Sequence, residues 1–173
     1  MKSVEVNNDN LKDYEIDEIV TRVKVFLLNS KNELLVATSN GGCQLPGGHR
    51  EDGEELSATV KREVMEETGI DLDNDEVGDA FFEIVHKTRN YRGSGKNRLS
   101  NVIYYLVKTD KQVDENNLSL TDNEKEYNFK VDYVKVEMFE EYVKSFINST
   151  QIEINKIIAG EMLTAFGELK KLI

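Results

Sequence analysis

The chain has 173 residues, with 22 Lys and Arg against 33 Asp and Glu and a formal net charge of −11. That length suits one domain with a real core, and the acidic balance argues against a general nucleic-acid coat or an anionic-membrane binder. A single cysteine and a single proline exclude a disulfide framework and a Cys-rich zinc site; lone Cys43 points to a reducing compartment, and without a signal-like or bilayer-length apolar run the expectation is a cytoplasmic protein with no membrane partner.

Residues 1–18 are polar and acidic and read as a frayed tail or a short edge strand. From Ile19 to Leu28, IVTRVKVFLL is rich in β-branched residues and partly alternates, which predicts a strand. Asn29-Ser30-Lys31-Asn32 supplies a turn, and Glu33–Thr38 returns as the hairpin partner. After the breaker cluster Ser39-Asn40-Gly41-Gly42 comes Cys43-Gln44-Leu45-Pro46-Gly47-Gly48. Pro46 beside two glycines predicts a turn at which backbone groups approach a ligand closely. Cys43 reads as a small buried hydrophobe, because nothing near it in sequence activates a thiol. His49 is either a structural turn residue or a proton carrier and phosphate contact; His86 lacks the spacing to make a zinc motif with it.

A helix is expected to begin between Glu54 and Ser57 and to stop at Thr68-Gly69, where glycine takes the left-handed position. At about 100° per residue, Glu67 lies about 40° and Glu66 about 300° around the helix from Glu63, so all three share a face that borders the apolar stripe of Leu56, Val60 and Val64. Such carboxylates repel one another, and a hard cation, Mg²⁺ or Mn²⁺, relieves the repulsion. Arg62 stands next to them, able to hold a carboxylate with both prongs of its fork. On the helix alone, a charged solvated face accounts for the same residues equally well.

Beyond an acidic connection over residues 71–79, Ala80–His86 and Ser100–Val107 predict an antiparallel pair. The segment between them holds Lys87, Arg89, Arg92, Lys96 and Arg98, with Tyr91 and two glycines and no acid; without it the chain has 17 basic against 33 acidic residues. It reads either as a clamp for an anionic substrate or as a solvated hairpin. Residues 110–126 show no strong period, and Phe129–Val136 alternates as a last strand. Phe139, Tyr142, Val143, Phe146 and Ile147 repeat at helical spacing. Thr150 with Glu153 then resembles a capping box opening a C-terminal helix within residues 150–173, which either completes the core or covers a partner subunit, so a homodimer stays open.

The order Gly48, five residues, Glu54, seven residues, Arg62-Glu63-Val64, one residue, Glu66-Glu67, one residue, Gly69-Ile70 resembles an unbroken Nudix box. Leu45-Pro46-Gly47 and the flanking strands extend the likeness over roughly residues 20–145. The resemblance implies an α/β fold, the Nudix-type α/β/α sandwich with a mixed central sheet, here in a single domain over residues 1–173 with an added C-terminal helix. It implies a Mg²⁺- or Mn²⁺-dependent pyrophosphohydrolase acting on a small nucleoside diphosphate derivative. Glu63, Glu66, Glu67 and the Gly47 carbonyl would hold the metal, one of these glutamates, Glu63 first, or a loop carboxylate such as Glu126 would be the general base, and Arg62 would orient the glutamates. Gly48, Glu54 and Gly69 would support them. A further carboxylate is expected from the loop before the last strand, Glu126 ahead of Glu124, and Arg89, Tyr91, Arg92, Lys96 and Arg98 would contact substrate. An isoprenyl-diphosphate isomerase using Cys43 and a non-catalytic nucleotide sensor are the alternatives on the same fold. Neither the aromatic residue common in the family at the place of Cys43 nor the proline or tyrosine that often marks substrate class beyond the box is present; Val85-His86-Lys87-Thr88 stand there instead.

Overall fold

Two long strands with opposite faces apolar set the architecture of the chain. A computed structural model describes residues 1–173, apart from the side chains of residues 123 and 124. In order, the elements are β1 (Lys2–Val6), β2 (Glu18–Leu28), β3 (Glu33–Ser39), β4 (Gly42–Gln44), α1 (Leu56–Thr68), β5 (Phe82–Thr88), β6 (Arg98–Lys108), α2 (Asp122–Glu126), β7 (Lys130–Lys135), α3 (Phe139–Ser149) and α4 (Glu153–Leu169). They form one mixed sheet ordered β1-β5-β6-β2-β3-β4, with β7 paired to β3. At its centre β2 and β6 run parallel over eleven residue pairs.

Period-two alternation divides these strands between two cores. Val23, Val25 and Leu27 of β2 join Ile103, Tyr105 and Val107 of β6 on one face, under Val60 and Val64 of α1. Phe26, Leu28, Val102 and Tyr104 face the other way, toward α3 and α4. There the Phe139 and Phe166 rings lie 4.5 Å apart. Helices therefore cover both faces, and the expected α/β/α sandwich is the observed one.

Several local expectations need correction. The turn at Asn29 forms, its Oδ1 accepting from Lys31 and Glu33 backbone N–H groups at 3.0 and 2.9 Å. The predicted hairpin, however, shares only the Leu28–Leu34 pair. β3 instead pairs along six residues with β7, and residues 46–50 take the vacated edge of β2. Val23 N donates to Gly48 O, Val25 N to Pro46 O and Arg50 N to Thr21 O, each at 2.9 Å. The glycine turn is thus stitched to the central strand by backbone bonds that sequence pattern cannot display. Of the two readings of the N-terminus the edge strand is found, β1 lying parallel to β5. Thr150 does not cap α4; it closes α3 in extended geometry, and Ile152 precedes α4 without a side-chain cap. The stretch before β7 contains the short α2. Among the described residues no helix is long and apolar enough to cross a membrane.

Cys43, on β4, is 3% exposed in the α3/α4 core, and burial pushes its thiol up to about 12. Iodoacetamide at pH 8 is therefore expected to label it only once denaturant opens the fold, as read by mass spectrometry; rapid labelling of native protein would contradict this placement. The α4 packing carries its own expectation. Phe166→Ala should cost about 3–5 kcal/mol in chemical denaturation, whereas Ile154→Ala, at an exposed position, should cost under about 1 kcal/mol; equal losses would mean that α4 is held by something other than this core.

Candidate active site

α1 ends at Gly69, whose φ of 70° supplies the left-handed stop. Its sheet-facing side carries Val60 and Val64, and the neighbouring positions bring Glu63 and Glu67 to 8% and 5% exposure. Carboxylates so enclosed require partners, and Arg62 is the main one. Its Nε and Nη2 donate to the two oxygens of Glu54 at 2.9 and 3.1 Å. Its Nη1 donates to Glu63 at 2.8 Å and Glu66 at 3.2 Å, and Nη2 also reaches the His49 carbonyl at 2.8 Å. All five donors of a guanidinium are accounted for.

These contacts set the charge states. Arg62 holds Glu54 down to about 2, with help from the Glu51 backbone and Thr59 hydroxyl donors, and Arg62 is itself pushed upward, chiefly by Glu54. Glu63 is raised, because its burial outweighs the Arg62 contact. Glu67 accepts from the Gly47 backbone N–H at 3.1 Å. The two glycines make room for this. A Cβ on Gly48 would lie 2.5 Å from a Glu63 carboxylate oxygen, and one on Gly47, at φ +129°, would lie 2.3 Å from the Val23 carbonyl.

Opposite the helix stands β2. Lys24 Nζ donates to Gln44 Oε1 at 3.1 Å, Leu45 O at 2.9 Å and Gly47 O at 2.6 Å. Burial pushes this ammonium down while Glu67 and Glu63 pull it up. His49 is pushed down first by burial and then by Arg22, Arg98, Lys24 and Arg92, so the glycine turn sits in a positive field. Glu63, Glu66, Glu67, Arg62, Gly47 and Gly48 all line one cleft of about 440 Å³. Arg22 and Lys24, the apolar Leu45, Val102, Ile158 and Met162, and Glu161 form its other walls. Glu161 Oε1 lies 2.9 Å from His86 Nε2, at ion-pair distance but outside hydrogen-bond alignment.

Other sequence candidates lie elsewhere. Glu126 is exposed on α2 and borders a separate depression with Thr38 and Tyr127. The expected approach of the loop before β7 does occur, but Ser119 and Thr121 make it, with Ser119 N donating to Glu66 O at 2.9 Å. The Glu124 side chain lies outside the described residues. None of Arg89, Tyr91, Arg92, Lys96 and Arg98 lines the cleft. β1 and the segment after it place acids along the β5–β6 hairpin, and these take up most of its cations. Lys87 Nζ lies 2.8 Å from Asp13 and 3.0 Å from Glu5, Arg89 lies 3.4 Å from Glu15, and Arg98 lies 2.6 Å from Glu18. Arg98 and Arg92 also cover the Tyr91 ring, at 3.8 and 5.2 Å, while the Lys96 carbonyl accepts from Tyr91 N at 2.8 Å. Cys43 also lies outside the cleft; with a buried, protonated thiol it offers nothing to isomerase chemistry there.

Sequence reasoning passed over Arg22, Lys24 and the α4 wall. The available signal was alternation: Arg22 and Lys24 share a face with Phe26, an unusual place for two cations in a strand at the centre of a sheet.

A model of the NUDIX domain family matches residues 19–149. Among solved structures, the fold is similar to MutT described from Aliivibrio salmonicida and Vibrio cholerae, at 18% identity over 86% of this chain and 99% of that one, TM-score 0.53. It is also similar to the E. coli ORF135 protein, at 16% identity over 72% and 79%, TM-score 0.51, and to a MutT/nudix family protein from Enterococcus faecalis, at 18% identity over 72% and 47%, TM-score 0.50. At such identities the likeness is one of fold. The span of the family match carries more, since it contains the glycine turn, α1 and the central strands that hold them: the chain belongs to the NUDIX domain family.

Proposed function

We propose that this protein is a divalent-metal-dependent pyrophosphohydrolase that cuts the diphosphate linkage of a nucleoside diphosphate derivative. The observation that carries this reading is the Arg62 fork, which, itself anchored on Glu54, fixes Glu63 and Glu66 on the wall of a cleft while Glu67 grips the Gly47 amide. A purely solvated acidic helix has no reason to gather carboxylates around one half-buried cation.

The residues fit a hard ion in donor type, though among the described residues no three acidic, histidine or cysteine side chains already converge as a finished cage. Glu63, Glu66 and Glu67 offer oxygen only, as Mg²⁺ and Mn²⁺ require. The Gly47 carbonyl, a further donor on the family pattern, is engaged by Lys24. When bound, the ion would neutralise the diphosphate and acidify an attacking water. The chain supplies the remainder. Water oxygen bonds to one phosphorus, the bridging P–O bond breaks, and a phosphate-bearing fragment leaves. Glu63 takes the water proton. Arg62 keeps that carboxylate in place through the step, and Glu54, anchored by both prongs of the fork, keeps Arg62 in place. The apolar surfaces of Leu45, Val102, Ile158 and Met162 suit the flat face of a base.

A screen of nucleoside diphosphate derivatives with Mg²⁺, read by ³¹P NMR, should show release of a phosphate-bearing fragment that EDTA abolishes. Glu66→Gln and Glu67→Gln should each lower that turnover by roughly 100-fold with an unchanged circular dichroism spectrum. Full activity in both variants would remove the metal assignment.

A further inference from the structure

Three cations line the cleft, and two of them are committed. Arg62 spends every donor on Glu54, Glu63, Glu66 and the His49 carbonyl. Lys24 spends three hydrogen bonds on Gln44, Leu45 and Gly47. Arg22 differs from both: its Nε is enclosed yet has no hydrogen-bond partner, and among the described residues its guanidinium forms no ion pair. The nearest acid on the facing α4 wall, Glu161, is turned to His86. A buried Nε–H without an acceptor is costly, so the position calls for an acceptor that arrives with a ligand. The residue is held firmly for such a task. Its backbone sits in the middle of β2, paired with Val102 of β6 on one side and bridged to His49 of the glycine turn on the other.

We infer that Arg22 is a specificity-determining residue that binds a phosphate oxygen of the substrate, and that the cationic wall of this cleft is built by β2 rather than by the Lys87–Arg98 hairpin. Planar, bidentate recognition of phosphate is the chemistry a guanidinium performs best. Of the hairpin cations, Lys87, Arg89 and Arg98 are occupied by Glu5, Asp13, Glu15 and Glu18, and all five lie off the cleft wall. A cation at Arg22 also gives a protein with an overall charge of −11 a local place where a diphosphate is welcome.

The inference rests on the diphosphate-cleaving reading and is tested apart from turnover, by calorimetric titration of the folded protein with imidodiphosphate, which is not cleaved at its P–N–P bridge, in the presence of Mg²⁺. Arg22→Gln should weaken binding about tenfold or more, Arg22→Lys should fall between it and wild type because the fork is lost while the charge remains, and Arg89→Glu with Arg92→Glu should change it by less than about threefold. Mn²⁺ affinity, followed by electron paramagnetic resonance, should be the same in Arg22→Gln and wild type. Unchanged imidodiphosphate binding in both Arg22 variants overturns the inference, as does wild-type protein that takes up none. Binding that depends on Arg22 without any fragment release from nucleoside diphosphate derivatives would leave Arg22 standing and remove the hydrolytic reading instead.

Discussion

The interaction on which the site depends is the saturation of Arg62. Three carboxylates near a helix face would raise one another's proton affinity and splay outward if left alone. One guanidinium with five donors binds two of them by single prongs, a third by two prongs, and the backbone of the glycine turn as well. The helix and the turn are thereby locked to each other. The arrangement also explains the glycines, because Glu63 comes so close to the Gly48 backbone that any side chain there would occupy the space of its carboxylate. One cation for three acids still leaves a deficit of positive charge. Lys24, reaching the same turn from the sheet side, makes up part of it, and on the proposed reading a divalent ion makes up the rest.

Positive charge elsewhere is spent on scaffolding. The hairpin between β5 and β6 holds the densest basic stretch in the sequence, yet residues 5–18 run beside it and meet Lys87, Arg89 and Arg98 with acids. Pairs of this kind contribute little individually when the partners are exposed, and Asp13 is 90% exposed in its pair with Lys87. The ladder between β1 and β5 and the backbone bonds from Asp17 and Glu18 to the Asn97 carbonyl therefore hold the segment in place. The ion pairs choose the register and remove the local excess of charge. Arg98 and Arg92, folded over Tyr91, still contribute to the positive field felt at His49, so the hairpin acts on the cleft at a distance and not by contact.

What sequence could disclose follows from how far each feature reaches along the chain. The face shared by Glu63, Glu66 and Glu67 is a local property of helix geometry, and α1 appears where the glycine stop and the apolar stripe place it. The sandwich was legible through the Nudix resemblance and the order of strands and helices along the chain, which the structure matches element by element in β2, α1, β5, β6, β7 and the closing helices. The β2–β3 hairpin was misread because a turn signal reports that the chain reverses, not which edge the returning strand will use; the edge of β2 was claimed by the Pro46–Arg50 backbone. Glu126 was chosen by its nearness in sequence to β7, and the short α2 turns it toward another surface. Arg22 and Lys24 sit inside a strand recognised by its β-branched residues and partial alternation, and that signal does not single out two cations on the face that holds Phe26.

α4 lines the cleft with residues of the same helix that fills the core. The family match ends at residue 149, but α4 begins at Glu153 and supplies Ile158, Glu161 and Met162 to the cleft. Its inner side buries Ala165, Phe166 and Leu169 in the core beneath β2 and β6. Gly160 and Gly167 each cost about 1 kcal/mol of helix propensity relative to Ala, and the burial of a single Phe166 side chain, worth roughly 1.5–3 kcal/mol, offsets most of that. A helix held by packing transmits its position to the wall it presents. Changes in the α4 core would therefore be felt at Glu161 and Met162, on the side of the cleft facing Arg22, while the box carboxylates, fixed by Arg62 to the opposite helix, stay where they are. On the proposed reading, the cutting chemistry belongs to the α1 side of the sheet, and the wall that meets the rest of the substrate is shared by β2 and α4 on the other side.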